Sequence, residues 1–183
     1  MSTVVRKKKV DPSVIGMILF ITSEVMFFGG LLSAYFAARG GHEAWPPKGE
    51  VAPGLVWPAV FTAALLASSV TQHRALEAGT SRTRRWVAAT IVLGLVFLAG
   101  QAWEWTELRS EGLSISSGIF GTLFFTITGA HGLHVIGGLA MLGVVASRWA
   151  GDPRRDHLEA ATYYWHFVDV VWLVVFVSLY VRP

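Results

Sequence analysis

Six ionisable residues stand inside long apolar stretches: Glu24, Glu104, His131, His134, His166 and Asp169. A charged side chain at mid-bilayer costs at least ~2.5–3.5 kcal/mol on the insertion scale, so such groups face a bundle interior and have partners. Their spacing limits the chemistry they could do. His131 and His134 are three apart and share a helix face, as do His166 and Asp169. Di-metal sites in four-helix bundles use Glu together with Glu-x-x-His pairs. This chain has Glu-x-x-Glu at 104–107, His-x-x-His at 131–134 and His-x-x-Asp at 166–169, but no Glu-x-x-His. Two His on facing helices could bind a haem axially, with His131 or His134 opposite His166. Glu24 and the His groups could instead line a proton or ion path. The reading that asks least of the residues is a buried network in which His and carboxylate satisfy one another, His166 with Asp169 among them. Interhelical bonds of this kind average ~0.6 kcal/mol. Glu24 has three candidate partners: the His belt, a lipid head group or another subunit.

The elements that must position these residues follow from composition. The chain has 183 residues, 53% hydrophobic and 15% charged, with no Cys. Soluble domains carry about 25% charged residues. Mean hydropathy is +0.51. These values exclude a soluble enzyme, a disulfide scaffold and any thiolate metal site. Apolar runs cover roughly 13–38, 55–77, 86–108, 118–147 and 158–181. Each reaches the ~20 residues that cross ~30 Å of hydrocarbon as a helix. Backbone groups in lipid must be satisfied internally, and the runs lack the alternation of barrel strands. The expected fold is all-α, a polytopic membrane bundle of five transmembrane helices forming one domain over 1–183, with 1–12 as a basic cytoplasmic tail. The first run is too long for a signal-peptide core, contains Glu24 and is read as a retained span.

Basic residues set the expected orientation. The N-terminus and the links at 78–85 and 148–157 hold Arg6, Lys7, Lys8, Lys9, Arg74, Arg82, Arg84, Arg85, Arg148, Arg154 and Arg155. The opposite side holds only Arg39, Lys48, Arg109 and Arg182. This 11-to-4 split predicts a cytoplasmic N-terminus and an outward C-terminus. The net charge of +3 is therefore topology signal and attraction to anionic lipid, with no nucleic-acid partner expected. Gly and Pro between 39 and 54, and Gly151 and Pro153, break the chain between spans. Trp57, Trp86, Trp103, Trp105, Trp149 and Tyr180 near span ends are expected as interfacial anchors. The fourth run is rich in small residues, including Gly129, Gly132, Gly137 and Gly138. These predict close helix packing within the bundle, or a contact face for another subunit. No nucleotide-binding or HExxH motif occurs.

Several longer segments carry a resemblance. GMILFITSEVMFF at 16–28, TGAHGLHVIGG at 128–138 and YWHFVDVVW at 164–172 resemble, in order, helices of haem–copper oxidase subunit III. LLASSVTQHRALEAG at 65–79 and the Glu104 region add weaker matches, so the resemblance covers about 14–181. It implies an accessory, non-redox subunit of a terminal oxidase in aerobic respiration. Its partners would be the catalytic subunit I, subunit II and membrane lipid. No haem, copper or other metal is expected in this chain, since the partner subunits hold them, and no catalytic residue is expected here. Phospholipid is the bound group the resemblance implies, with Arg148, His73 and Glu24 as candidate contacts. The family role would be to stabilise the catalytic subunit and support its proton uptake, in a bacterial plasma membrane. The longer form of the family has two further helices ahead of the segment aligned with the first span. A cleft between that pair and the rest would need helices from elsewhere. Alternatives are the corresponding subunit of a quinol oxidase, a nitric-oxide-reductase accessory protein, a free-standing transporter or a b-type cytochrome.

Overall fold

The computed structural model describes residues 12–78, 80–148 and 155–181. The basic tail with Arg6 and Lys7 to Lys9, and Trp149, Gly151, Pro153, Arg154 and Arg182, lie outside the described residues. Among the described residues, five helices follow one another: α1 Pro12–Gly40, α2 Val56–Glu77, α3 Thr80–Ser110, α4 Ile119–Arg148 and α5 Arg155–Phe176. A π-helical turn, Val177–Val181, ends the last of them. Among the described residues there is no strand. The chain is thus an all-α membrane bundle. Helix α1 opens on Pro12, whose missing N–H costs nothing in the first turn. Helix α3 begins six residues before the apolar run, because a basic first stretch with Arg82, Arg84 and Arg85 is already helical.

Among the described residues, four helices are long and apolar enough to cross a membrane: α1, α3, α4 and α5 with its π turn. Helix α2 is different. Its 22 residues span ~33 Å, but Thr62, Ser68, Ser69, Thr71, Gln72 and His73 dilute its apolar character. The first, second and fifth of these are buried, and they point at α5 rather than at lipid. Trp172 Nε1 donates to Thr62 Oγ1 at 2.8 Å, Trp165 Nε1 to Ser68 Oγ at 2.9 Å, and Gln72 Nε2 to Thr162 Oγ1 at 2.8 Å. The hydroxyls of Thr71 and Thr90 meet at 2.8 Å between α2 and α3. The polar residues that lower the helix's hydropathy are therefore its means of attachment.

Helix α5 lies at the centre, packed against α1, α2 and α4. Its Trp165 and Trp172 also reach α3, where Trp172 meets the Phe97 ring at 4.8 Å. The Trp165 ring sits between two glycines. A Cβ at Gly94 of α3 or at Gly138 of α4 would fall 2.8 Å from it. The same indole bonds Ser68 of α2, so one side chain ties four helices together. This is the close packing expected of the glycines of α4. It is not the fate of all of them: a Cβ at Gly132 or Gly143 would meet nothing within 4 Å.

The loop over 41–55 is held by polar contacts. Trp45 Nε1 donates to Tyr35 Oη at 2.9 Å, and Tyr35 Oη donates to the Ser178 carbonyl at 3.0 Å. Glu50 accepts from the amides of Gly121 at 2.8 Å and Phe120 at 3.3 Å. It thereby satisfies donors that the first turn of α4 would otherwise leave open. Two expected interfacial anchors turn inward instead. Tyr180 is 4% exposed, because the π turn swings it into the bundle. Trp105 is half-buried and packs its ring on Phe125 at 5.3 Å. Trp57 and Trp103 are exposed, as expected of anchors. Trp86 takes the Arg74 guanidinium over its ring at 5.3 Å.

Candidate functional site

Five of the six intramembrane residues fall into three groups, and His131 stands apart from them. The first joins α1 to α4. His134 Nε2 lies 2.8 Å from Glu24 Oε2. His134 Nδ1 lies 2.7 Å from the Ala130 carbonyl, one turn back. A carbonyl can only accept, so Nδ1 carries a hydrogen. The Nε2···Oε2 contact then holds one proton, as O–H···N or as N–H···O. Both forms keep the helices joined, and both side chains are only about one-sixth exposed. Phe28 packs beside the pair, its ring 4.9 Å from His134. Tyr164 of α5 donates to the His134 carbonyl at 3.1 Å.

The second group lies between α2 and α5. Ser69 Oγ and His166 Nδ1 are 2.6 Å apart. The expected pairing of His166 with Asp169 is not made. Asp169 is buried, and neither carboxylate oxygen has a hydrogen-bond partner. The Ser69 hydroxyl faces the Asp169 carboxyl too, but no bond of ordinary geometry forms. A helix places residues three apart on one face, but their side chains can still diverge, and Ser69 from α2 reaches His166 first. His73 sits beside His166 with ring centroids 6.4 Å apart, and its Nε2 is 3.5 Å from Glu77. Ser69, His73, Arg74, Glu77 and His166 line a groove of about 320 Å³.

The third group is at the end of the bundle that carries the 41–55 loop. Glu104 Oε2 accepts from Gln101 Nε2 at 3.0 Å and from Tyr180 Oη at 2.9 Å. Its Oε1 has no hydrogen-bond partner. Helix α3 supplies two members of this set and the π turn the third.

His131 joins none of these groups. It is fully buried, and neither ring nitrogen has a hydrogen-bond partner. Its ring lies 4.8 Å from Trp172 and is enclosed by Phe97 at 5.8 Å and Phe28 at 6.4 Å. The network expected of the buried His and carboxylate groups thus does not include His131, which an aromatic cage encloses. Among the described residues, no three His, Asp or Glu side chains come together closely enough to hold a metal ion. The lipid candidates are dispersed. Glu24 is committed to His134, His73 lines the α2–α5 groove, and Arg148 is exposed in the last turn of α4.

Sequence reasoning passed over the residues that do most of the joining. Ser68 and Gln72 of α2 are four apart, and Thr162, Trp165 and Trp172 of α5 are three and seven apart, while Thr62 lies six before Ser68. That periodicity was the available signal for a polar seam. Glu50 had no such signal, since a lone loop carboxylate does not reveal which helix end it will meet.

The profile of the cytochrome c oxidase subunit III family matches residues 6–182. The cytochrome c oxidase subunit 3 of Thermostichus vulcanus is 39% identical over 180 residues, covering 93% of this chain and 88% of that protein. A probable cytochrome c oxidase subunit 3 of Nocardia farcinica is 40% identical over 176 residues, covering 91% and 86%. The Synechocystis cytochrome c oxidase subunit 3 is 37% identical over 179 residues, covering 93% and 76%. With its helices ordered as described and the match running nearly end to end, this chain belongs to the cytochrome c oxidase subunit III family.

Proposed function

We propose that this chain is the accessory, non-redox subunit of a haem–copper terminal oxidase that takes electrons from cytochrome c. It sits beside a catalytic subunit I and with subunit II, which hold the haem and copper. The observation that carries this reading is how the buried ionisable groups are used. Glu24 is spent on His134, Glu104 on Tyr180 and Gln101, and His166 on Ser69. These are joints between elements, or within one, which suits a scaffold. In this reading the scaffold steadies subunit I, binds phospholipid and sustains proton uptake by the catalytic subunit.

Two further features favour a partnered subunit. Helix α1 turns most of its surface outward, with Ile18, Leu19 and Met26 exposed. Helix α4 exposes Leu133, Ile136 and Val144 around the open positions Gly132 and Gly143. Small residues next to exposed apolar ones suit a helix from another subunit or lipid chains. At the end opposite the 41–55 loop, Ser13, Met17, Met141, Val145, His157 and Ala161 line a largely apolar space of about 400 Å³ that suits an acyl chain. The distribution of Lys and Arg supports an inner-membrane placement with the N-terminus cytoplasmic and the C-terminus outside.

The test is to solubilise the native membrane in mild detergent, capture the tagged chain and identify its partners by mass spectrometry. A large haem-binding polytopic subunit and a copper-domain subunit are expected. A chain that purifies alone, with or without a Soret band, overturns the reading.

A further inference from the structure

At the loop end of the bundle, α2, α3 and the residues flanking them border a cavity of about 410 Å³ whose walls include Trp57, Pro58, Trp103, Glu104, Glu107 and Glu111. That size falls in the ~300–1,000 Å³ range of small-ligand sites. Its chemistry is of two kinds. The carboxylates at 104, 107 and 111 follow one another at three- and four-residue spacing and so line one face of α3 and the turn after it. The indoles of Trp57 and Trp103 meet at 5.5 Å and 88°, making a right-angled aromatic corner. Both rings are about half exposed. The cavity also has a fixed buried element. Glu104 is only 6% exposed, its Oε2 is held by Gln101 and Tyr180, and its Oε1 has no hydrogen-bond partner. A buried carboxylate oxygen without a donor is costly unless a donor arrives from elsewhere.

We propose that this cavity binds an organic ammonium group, primary or quaternary, with the cation against the Trp57–Trp103 corner and Glu104, Glu107 and Glu111 around it. Three considerations select that ligand class. Negative charge with no basic residue in the wall selects a cation. Among the described residues no three acidic or His side chains converge closely enough to chelate a bare metal ion. Indole faces attract diffuse organic cations through the ring quadrupole, and carboxylates reinforce the attraction. Exposed Trp at the end of a span places the cavity at the level of lipid head groups. Two sources present this chemistry there: the ethanolamine head of a phospholipid, and a soluble polyamine or choline-like solute. The inference uses α2, α3, the residues flanking them and Tyr180 of the π turn, and it does not depend on the oxidase reading.

The test compares the chain in its native assembly with the same assembly carrying Glu107→Gln and Glu111→Gln together. Both positions are exposed, so folding is unaffected. Each assembly is placed in phosphatidylglycerol nanodiscs containing a minor fraction of phosphatidylethanolamine. Retained lipid is counted by native mass spectrometry, and spermidine binding is measured by equilibrium dialysis. The expected result is retention of an ethanolamine lipid, or binding of spermidine, at least about fivefold weaker in the double variant. Lipid loss with no spermidine effect assigns the site to a head group, and the converse assigns it to a soluble cation. A Trp57→Leu variant, which keeps all three carboxylates, is expected to weaken the same ligand. On the unaltered chain, tetramethylammonium is expected to displace the bound lipid or spermidine. Equal retention of both probes by wild type and double variant, with no displacement by tetramethylammonium, overturns the proposal.

Discussion

Helices α1 and α5 are comparably apolar by sequence and meet opposite fates. Only 11% of the most apolar stretch of α1 is buried inside the bundle, against 61% for α5. The difference shows that apolarity selects the membrane but not a place within it. Lipid tails are as apolar as Leu, so no hydrophobic force gathers helices there, and packing and hydrogen bonds must do so. Helix α5 carries the means: two indoles whose N–H groups reach α2, Thr162 against Gln72, and flat faces of α3 and α4 opened by Gly94 and Gly138. The attachments of helix α1 include Glu24 on His134, Phe20 on the Tyr164 ring, Phe28 among the α4 and α5 rings, and Tyr35 on the Ser178 carbonyl.

If this contrast is right, the largest effect comes from the centre. Trp165→Ala removes the ring shared by four helices and leaves a cavity that close packing cannot refill. It is expected to cost about 3–5 kcal/mol, seen as loss of folded chain from the membrane and of the assembled complex. Near-normal yield would mean that α5 is not the hub. The matching change on the peripheral helix is Phe28→Ala. A cost of about 1–2 kcal/mol is expected, below the usual core value, because a helix exposed on most of its surface can settle into the gap. Thermal denaturation of the purified assembly compares the two, and an equal or larger loss at Phe28 would reverse the ranking.

Smaller effects sharpen the polar side of the comparison. Glu24→Leu leaves His134 Nε2 without its partner and should loosen α1 by roughly 0.6 kcal/mol, the average of such interhelical bonds. Glu24→Gln can donate an amide hydrogen to the same nitrogen and should leave assembly at the wild-type level. Protease accessibility of the α1–α2 loop distinguishes them, and identical behaviour of the two variants would remove the pair from the account of α1. The smallest effect is expected at His131. Its nitrogens have no partner and its neighbours are aromatic. His131→Phe should therefore keep or slightly raise the denaturation temperature, since an apolar ring of similar shape forfeits no hydrogen bond. A marked fall would mean that the imidazole has a polar partner in the assembled complex.

How far the sequence could be read is clearest along α4 and α5. His131 and His134 look alike in sequence, three residues apart in a glycine-rich apolar run. The structure gives one a carboxylate and the other a cage of rings. The facing residues decide this. Glu24 of α1 stands opposite His134, and Phe97 of α3 with Trp172 of α5 stands opposite His131. Asp169 shows the same limit. Its spacing from His166 was legible, but Ser69 of α2 takes the imidazole.

The sequence by itself determined that this is a helical membrane protein, which runs form its helices and which ionisable residues lie inside them. Those properties depend on local composition and on the need to satisfy each backbone group within its own helix. Only the tertiary structure decided that α5 is the centre, that α2 is held through its polar residues and that Tyr180 turns inward to Glu104. The helical repeat fixes which residues share a face. Which face meets which neighbour depends on ring shapes, glycine gaps and donor–acceptor matches contributed by other helices.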